Sequence, residues 1–358
     1  MKIAIVGAGP AGCSAAFFCK YFDKDNEHDV YLFERLERKK WEKYHFICGE
    51  AVNEELFKEI RPIKPLVKNR INKIKECYPH DIELTFKVRG YILDRPTLLK
   101  EIIEKFQELG GNFKISNISK IKLKENKIKI KLNSKVIEFD YLIAADGANS
   151  KIRKLLNIRD PLKIVANMFF ADNEVIENDT LIFYYDEVYR EMYKWVFPNN
   201  DRMKLGYPVY KDRKFSPKCE YLSKGSRVIA YGGIDKIVKD RILFVGDAAG
   251  QANALTKGGI RSAMIAGKMA AESVIKNDPY YYEKKWEKSP YIAPIYLEAL
   301  NITKNMSNDE LVEHIKPFTN LHFEKSCDKL KFIIRTLLFY RKYLKLYKAY
   351  EMCDKWGW

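Results

Sequence analysis

The first thirty-four residues constrain this chain more than any other stretch. Ile3-Ala4-Ile5-Val6 is an apolar run of strand length, and Gly7-Ala8-Gly9-Pro10-Ala11-Gly12 follows it at once. Residues 11–22 read as a helix, and Val30-Tyr31-Leu32-Phe33 as a second buried strand, a β-α-β unit of the length such a unit requires. In this setting Gly7 allows the tight turn, Gly9 lets the backbone approach a pyrophosphate, and Gly12 lets helix and strand pack closely. Pro10 and Ala11 stand at the helix start, where unpaired N–H groups and the positive dipole end face an anion. Glu34 closes the second strand, where a carboxylate accepts hydrogen bonds from both ribose hydroxyls of an adenosine and disfavours a 2′-phosphate. The segment reads as a dinucleotide cradle.

The remaining composition sets outer limits. A chain of 358 residues with 47% apolar content fits two packed domains with a sizeable core rather than disorder. The residues after Met1 form a strand where a signal peptide would carry its apolar helix, and no apolar run is long enough to span a bilayer. The expectation is a cytoplasmic protein, soluble or peripheral to a membrane. Seven cysteines, at 13, 19, 48, 77, 219, 327 and 353, form no C-x-x-C pair and no zinc-ligand spacing, so neither a disulfide framework nor a metal site is expected. The net charge of +16 fits a lysine-rich solvated surface or attraction to phospholipid headgroups, an acidic electron carrier or nucleic acid, and charge alone does not choose.

Along the chain, residues 36–50 read as loop, 53–60 as helix, Ile82 to Val88 as strand, and Arg95 to about 108 as a helix ended by Gly110-Gly111. Short alternating strands fill 113–144, and 161–231 is again strand-rich and aromatic. Residues 242–245 form another buried strand, followed by a glycine-rich turn and a small-residue helix near 259–275; the texture beyond 280 is helical. Rossmann-like parts therefore flank a strand-rich middle. The expected fold is α/β: a discontinuous Rossmann-type domain (1–50, 91–160 and 230–279), an inserted antiparallel β-sheet substrate domain (51–90 and 161–229), and C-terminal helices (280–358).

Two further segments bear on the nucleotide. Asp146-Gly147-Ala148-Asn149-Ser150 follows the apolar strand Tyr141–Ala145, and Gly246-Asp247-Ala248-Ala249-Gly250 follows Arg241–Val245. They resemble the second and third fingerprints of the flavoprotein hydroxylase and reductase superfamily. That resemblance implies FAD as the cofactor, with Asp247 on the ribityl hydroxyls and Gly258, Gly259 and Ile260 close to the isoalloxazine. Tyr91-Ile92-Leu93-Asp94-Arg95-Pro96 is similar to the superfamily's strand–arginine–helix segment, so Arg95 is expected to contact FAD. Ile118 is placed among the cofactor contacts.

Within the superfamily the chain resembles the geranylgeranyl reductase family, including archaeal digeranylgeranylglycerophospholipid reductases. Ile47-Cys48-Gly49-Glu50-Ala51-Val52 is similar to that family's Cys-Gly-Glu-Gly segment beside the flavin, and Tyr193-Lys194-Trp195-Val196-Phe197-Pro198 to its Y-x-W-x-F-P motif. Gly246 to Ile260 is similar to its Gly-Asp loop. The resemblance implies cofactor contacts from Cys48, Gly49 and Glu50, and a lipid pocket lined by Tyr193, Trp195, Phe197 and Pro198. Departures are Arg190-Glu191-Met192 in place of glycines, Gly206-Tyr207-Pro208 for G-x-G, and Ala254 and Lys257 where proline and glycine are usual.

The expected reaction is reduction of C=C bonds in an isoprenoid lipid by reduced FAD, with Cys48, Tyr193 and Tyr207 as candidate acids by position. An aromatic-ring monooxygenase and a non-catalytic prenyl-lipid-binding flavoprotein are the rivals. The electron donor, NAD(P)H or a ferredoxin-type carrier, is not identified, and no nucleic acid partner is expected. Asp328 to Tyr350 carries Phe332, Ile333, Leu337, Tyr340, Leu344 and Tyr347 at helical spacing, interleaved with Lys331, Arg335, Arg341, Lys342, Lys345 and Lys348. Such a basic amphipathic helix lies on a membrane or packs on the protein body.

Overall fold

Apolar side chains on both faces of Lys2–Val6 suit it to the middle of a sheet covered on both sides. The computed structural model, which describes residues 1–125, 127–133, 135–172, 177–292, 294–319, 334–336 and 340–358, places it there. The six strands run in the order Val238–Lys239, Ile242–Phe244, Tyr141–Ala144, Lys2–Val6, Asp29–Glu34, Asn112–Ile115, all parallel except the first. The helix Pro10–Phe22 packs on the helix Ile260–Ile275. Their close approach rests on small residues: a Cβ on Gly267 would sit 2.3 Å from the Ala11 carbonyl oxygen, and Ser14 Oγ donates to the Met264 carbonyl at 2.6 Å.

A second, eight-stranded sheet runs Ser223–Tyr231, Leu162–Asp172, Arg202–Pro208, Lys194–Asn199, Thr180–Tyr184, Val67–Tyr78, Ile82–Leu93, Ala51–Asn53. It is antiparallel but for the pairing of Thr180–Tyr184 with Val67–Tyr78. Two of the expected domain limits cut through strands. The limit at 90/91 falls inside Ile82–Leu93, and that at 229/230 inside Ser223–Tyr231. A three-stranded antiparallel sheet, Ile118–Lys124, Lys127–Leu132 and Lys135–Phe139, completes the β-structure.

Two elements escaped the sequence reading. Residues 36–50 are not loop throughout: Arg38–Phe46 is a helix whose buried side chains are only Trp41 and His45, one turn apart. The strand Val67–Tyr78 was not expected because a bulge between Ile71 and Lys73 breaks its alternation. Asn69 and Ile71 point inward before the bulge; Ile74, Glu76 and Tyr78 line the cavity after it.

The tail also differs from expectation. Asp328, Lys331, Phe332, Ile333 and Leu337 lie outside the described residues. The part that is described is not one continuous helix: a 3₁₀ turn, Arg341–Tyr343, leads into the helix Leu344–Trp356. Leu346 and Ala349 are fully buried and join Tyr343 and Tyr347 in a cluster with Tyr78, Leu84 and Ala299. Lys342 and Lys345 face outward and pair with Glu313 and Glu298. Burying a side chain of the size of Leu346 or Tyr347 contributes about 1.5–3 kcal/mol, so removal of residues 341–358 is expected to lower the melting temperature sharply and expose an aggregating face. A truncated protein that stays monomeric, stable and flavin-loaded in thermal and size-exclusion measurements would place this segment outside the core. Among the described residues no helix is long and apolar enough to cross a membrane.

Candidate active site

A cavity of about 2400 Å³ runs from the C-terminal ends of the parallel strands to the inner face of the eight-stranded sheet. A single small ligand usually occupies roughly 300–1,000 Å³, so this space suits a cofactor and a large second ligand together.

At the nucleotide end, Gly7, Gly9, Pro10 and Ala11 line the wall at the start of Pro10–Phe22. Glu34 is held there by two of its own chain's amides, accepting from Ala8 N–H and Leu36 N–H, both at 2.8 Å. Gly12 lies beneath the wall, where a Cβ would be 1.8 Å from the Gly7 carbonyl oxygen. Gly9 is different. A Cβ built on it meets only His45 Cε1, at an ordinary 3.5 Å, so protein packing does not demand a glycine. The side chain would instead project into the cavity, where the closely approaching backbone leaves room for a ligand.

Toward the middle, Arg95 Nε donates to the His45 carbonyl at 2.9 Å, with Nη2 on the same oxygen. Burial first, then the Arg95 and Arg227 guanidiniums, keeps His45 well below its usual pKa and hence neutral. Ile118 lines the same end. Asp247 faces the cavity with no hydrogen bond from a described residue to its carboxylate; burial raises it to about 6 against the pull of Arg227, Arg95 and Arg153. Arg153, fully buried, donates to the carbonyls of Ala148 and Ala248 and so ties the two Gly-Asp and Asp-Gly turns together. Gly258, Gly259 and Ile260 line the cavity at the start of Ile260–Ile275, presenting helix N–H groups.

Cys48, Gly49 and Glu50 form the opposite wall. Glu50 adopts a positive φ of 63° and its carboxylate is locked 2.5 Å from Lys204 Nζ, both side chains wholly buried. Lys204 also donates to the Phe46 carbonyl at 2.9 Å and lies over the Phe46 ring.

The strand Lys194–Asn199 explains which motif residues meet the cavity. Tyr193, Trp195 and Phe197 line it, whereas Lys194 turns away over the Tyr184 ring. By the same alternation Pro198 lies on the outer face, so its expected place in the lipid pocket is corrected. Tyr207 is corrected likewise: it packs with Phe169, Val196 and Phe215 beyond the sheet, its hydroxyl donating to the Phe215 carbonyl at 3.0 Å, and cannot act as the acid. Tyr193 donates its hydroxyl to the Thr256 carbonyl, and burial pushes its pKa up, leaving a neutral phenol with a committed proton. Lys257, at φ 58°, is buried with its amine on the Ala254 carbonyl and over the Tyr231 ring; burial pulls it down to about 7.

Six of the eight buried side-chain polar atoms without a hydrogen-bond partner among the described residues belong to residues lining this one cavity, among them His45 Nδ1, Asp146 Oδ1, Trp195 Nε1 and Trp358 Nε1. Buried polar groups are ordinarily satisfied, so their concentration here points to a cavity built for bound molecules, with His45 Nδ1 and Asp146 Oδ1 at the end where a polar cofactor would meet them. The residues present fit FAD: Gly9 would receive its phosphates, Glu34 its adenosine ribose, and Asp247, Gly258 and the Cys48–Glu50 wall would hold its ribityl and ring portions.

Residues 1–179 match the family model described as pyridine nucleotide-disulphide oxidoreductase. The chain belongs to this family. The chain is 27% identical, over 86% of its length and 88% of the relative's, to a digeranylgeranylglycerophospholipid reductase of Methanocaldococcus jannaschii. It is 26% identical, over 80% of its length and 81% of the relative's, to a geranylgeranyl diphosphate reductase of Synechocystis. Its fold is that of a geranylgeranyl bacteriochlorophyll reductase-like protein from Thermoplasma acidophilum, with a TM-score of 0.79, 18% identity and 98% of each chain covered. A flavin-dependent brominase shares the fold at a TM-score of 0.69 and 15% identity, over 99% of this chain and 95% of its own.

Several lining residues of this oxidoreductase left no mark in the sequence. Trp358 reaches the cavity because Gly357 accepts a hydrogen bond from Thr256 Oγ1 at 2.5 Å and the Trp358 ring lies over Gly90. Arg227 reaches it by donating to the carbonyls of Tyr44 and Ile47. No local pattern announces contacts between residues so far apart in the chain.

Proposed function

We propose that this protein reduces C=C bonds of an isoprenoid lipid, with FAD as its cofactor. The observation that carries the reading is the second limb of the cavity. Beyond the cofactor end the walls become apolar and aromatic, with Trp195, Phe197, Phe183, Leu181 and Phe86 on one continuous sheet face. A long unsaturated chain laid on this face buries its whole length against rings. The names of the relatives point to the same class of substrate.

When bound and reduced, the flavin supplies a hydride. The protein's own part is to hold the alkene dry and oriented, since an isolated double bond has no carbonyl to polarise and its reduction needs water kept out until the proton arrives. The aromatic row does this. Phe183 meets Tyr193 and Phe197 edge to face at 4.9 and 5.2 Å between centroids, which fixes the rings before a chain enters.

The test is to reduce the purified protein with dithionite, add a geranylgeranylated lipid, and weigh the product. A gain of two hydrogens per double bond is expected; unchanged lipid beside fully reduced flavin would overturn the reading. Trp195→Ala should keep its FAD and lose about ten- to a hundredfold in lipid affinity, from the roughly 1.5–3 kcal/mol of one large aromatic contact. Lys194→Ala, on the other face, should lose far less. Equal losses from both would make the motif scaffold.

A further inference from the structure

Among the described residues three lysines are buried: Lys20, Lys204 and Lys257. Lys20 and Lys204 are each locked on a carboxylate, Asp23 at 2.7 Å and Glu50 at 2.5 Å. Lys257 differs. Its amine donates to the Ala254 carbonyl and stands 4.2 Å from the centre of the Tyr231 ring, and no carboxylate of a described residue forms an ion pair with it. Glu191, hydrogen-bonded to Tyr210 Oη at 3.3 Å, attracts it from beyond ion-pair distance, and Cys353 on the last helix is the other titratable group it senses. An ammonium has three protons to place, and burying one without a counter-charge is costly. Lys257 lines the large cavity, so a bound molecule can bring the missing charge to it.

The backbone around Lys257 says that its side chain matters. Asn253 folds the loop: its Oδ1 accepts from the amides of Leu255 and Thr256 at 2.8 and 3.0 Å, and its own amide donates to the Gly258 carbonyl at 2.8 Å. Lys257 is thereby held at φ 58°, a left-handed conformation that glycine adopts freely and an L-residue only at a cost. A strained residue persists where its surroundings or its role compensate. Lys257 directly precedes Gly258 and Gly259, at the helix start assigned above to the ring portion of FAD. Oxidised isoalloxazine is neutral. Two electrons and one proton, taken up at N5, turn it into an anion whose charge rests on N1 and the adjacent carbonyl. A cation held near that charge favours the reduced form over the oxidised one.

We propose that Lys257 supplies the counter-charge of the reduced flavin and so raises the reduction potential of the bound cofactor. The inference rests on FAD binding and is independent of which substrate is reduced. Arg95 and Arg227, which act on Asp247, stay in every variant and set a common baseline. The FAD-loaded protein is titrated with dithionite against a reference dye at about pH 6, below the value of about 7 to which burial pulls the amine, so that the amine carries its charge. Lys257→Gly and Lys257→Met should each lower the two-electron midpoint by about 30 mV, the equivalent of a tenfold loss in preference for the reduced form. Sulfite is a second probe, because its addition at N5 leaves the same negative charge on the ring; both variants should bind it about tenfold more weakly. Lys257→Arg should restore most of both values. The glycine variant separates charge from structure. Its melting temperature should equal or exceed the parent's, since the left-handed backbone is relieved, while its potential falls. If Lys257→Met does not retain FAD, Lys257→Gly carries the test. An unchanged midpoint and sulfite affinity in the glycine variant overturns the inference. So does a glycine variant of unchanged midpoint that binds geranylgeranyl diphosphate less tightly, because the amine then answers a substrate phosphate.

Discussion

Gly9→Val should give a folded, colourless protein. Gly9 has φ −88° and ψ −173°, an extended conformation in which a β-branched residue is at ease. A Cβ there meets His45 Cε1 at 3.5 Å and nothing closer, so the variant should unfold within a few degrees of the parent. What the isopropyl group fills is the space through which a pyrophosphate reaches the helix start. Flavin content, read from visible absorbance after purification, should fall about tenfold or more. Gly12→Ala is the informative contrast. Its methyl carbon would lie 1.8 Å from the Gly7 carbonyl oxygen, so the turn itself must move, and thermal stability should fall together with flavin. A yellow Gly9→Val protein would move the phosphates elsewhere.

The second large effect concerns the Lys204–Glu50 pair behind the Cys48–Glu50 wall. Lys204→Met should cost on the order of 3–5 kcal/mol, because it strands a wholly buried carboxylate. Lys68, 3.5 Å from the same Glu50 oxygen, compensates only in part. Adding Glu50→Leu to Lys204→Met should recover much of the stability, since replacing both members by apolar groups removes the desolvation cost as well. Flavin binding should not return with it if Glu50 shapes the wall. Equal instability of the single and double variants would mean that the charge pair is not what matters.

How far the sequence could be read depended on whether each signal was local. The β-α-β unit was legible because its turn, helix start and strands lie within consecutive residues, each demanding a particular residue type. The alternation of Tyr193, Trp195 and Phe197 was legible for the same reason, although Pro198 was assigned to the wrong face of its own strand. Tyr207 misled because its sheet face depends on register with Asn167, a residue forty positions away. The strand Val67–Tyr78 was hidden by its bulge, and Glu76 with it: a single glutamate in a lysine-rich stretch reads as solvated until the strand's neighbours are known. The tail stayed open between two readings because its apolar stripe has the same period whether it faces a bilayer or Tyr78 and Leu84.

The interleaving of the two large sheets has a consequence for how the chain is made. Lys2–Val6 pairs with Tyr141–Ala144, which pairs with Ile242–Phe244. Between these visits to one sheet the chain twice leaves to build the other, whose strand Val67–Tyr78 waits for Thr180–Tyr184. Neither sheet is complete on a ribosome that has translated only half the message. The first half emerges with long unpaired strand edges and must hold them until its partners arrive, a high-contact-order path in which loop closure precedes the contacts that reward it. Slow synthesis gains little in the first half, because neither sheet is complete until Ser223–Tyr231 and Ile242–Phe244 have been made. Yield should depend on what protects those edges during elongation, and cofactor uptake comes only once residues near 260 have been released.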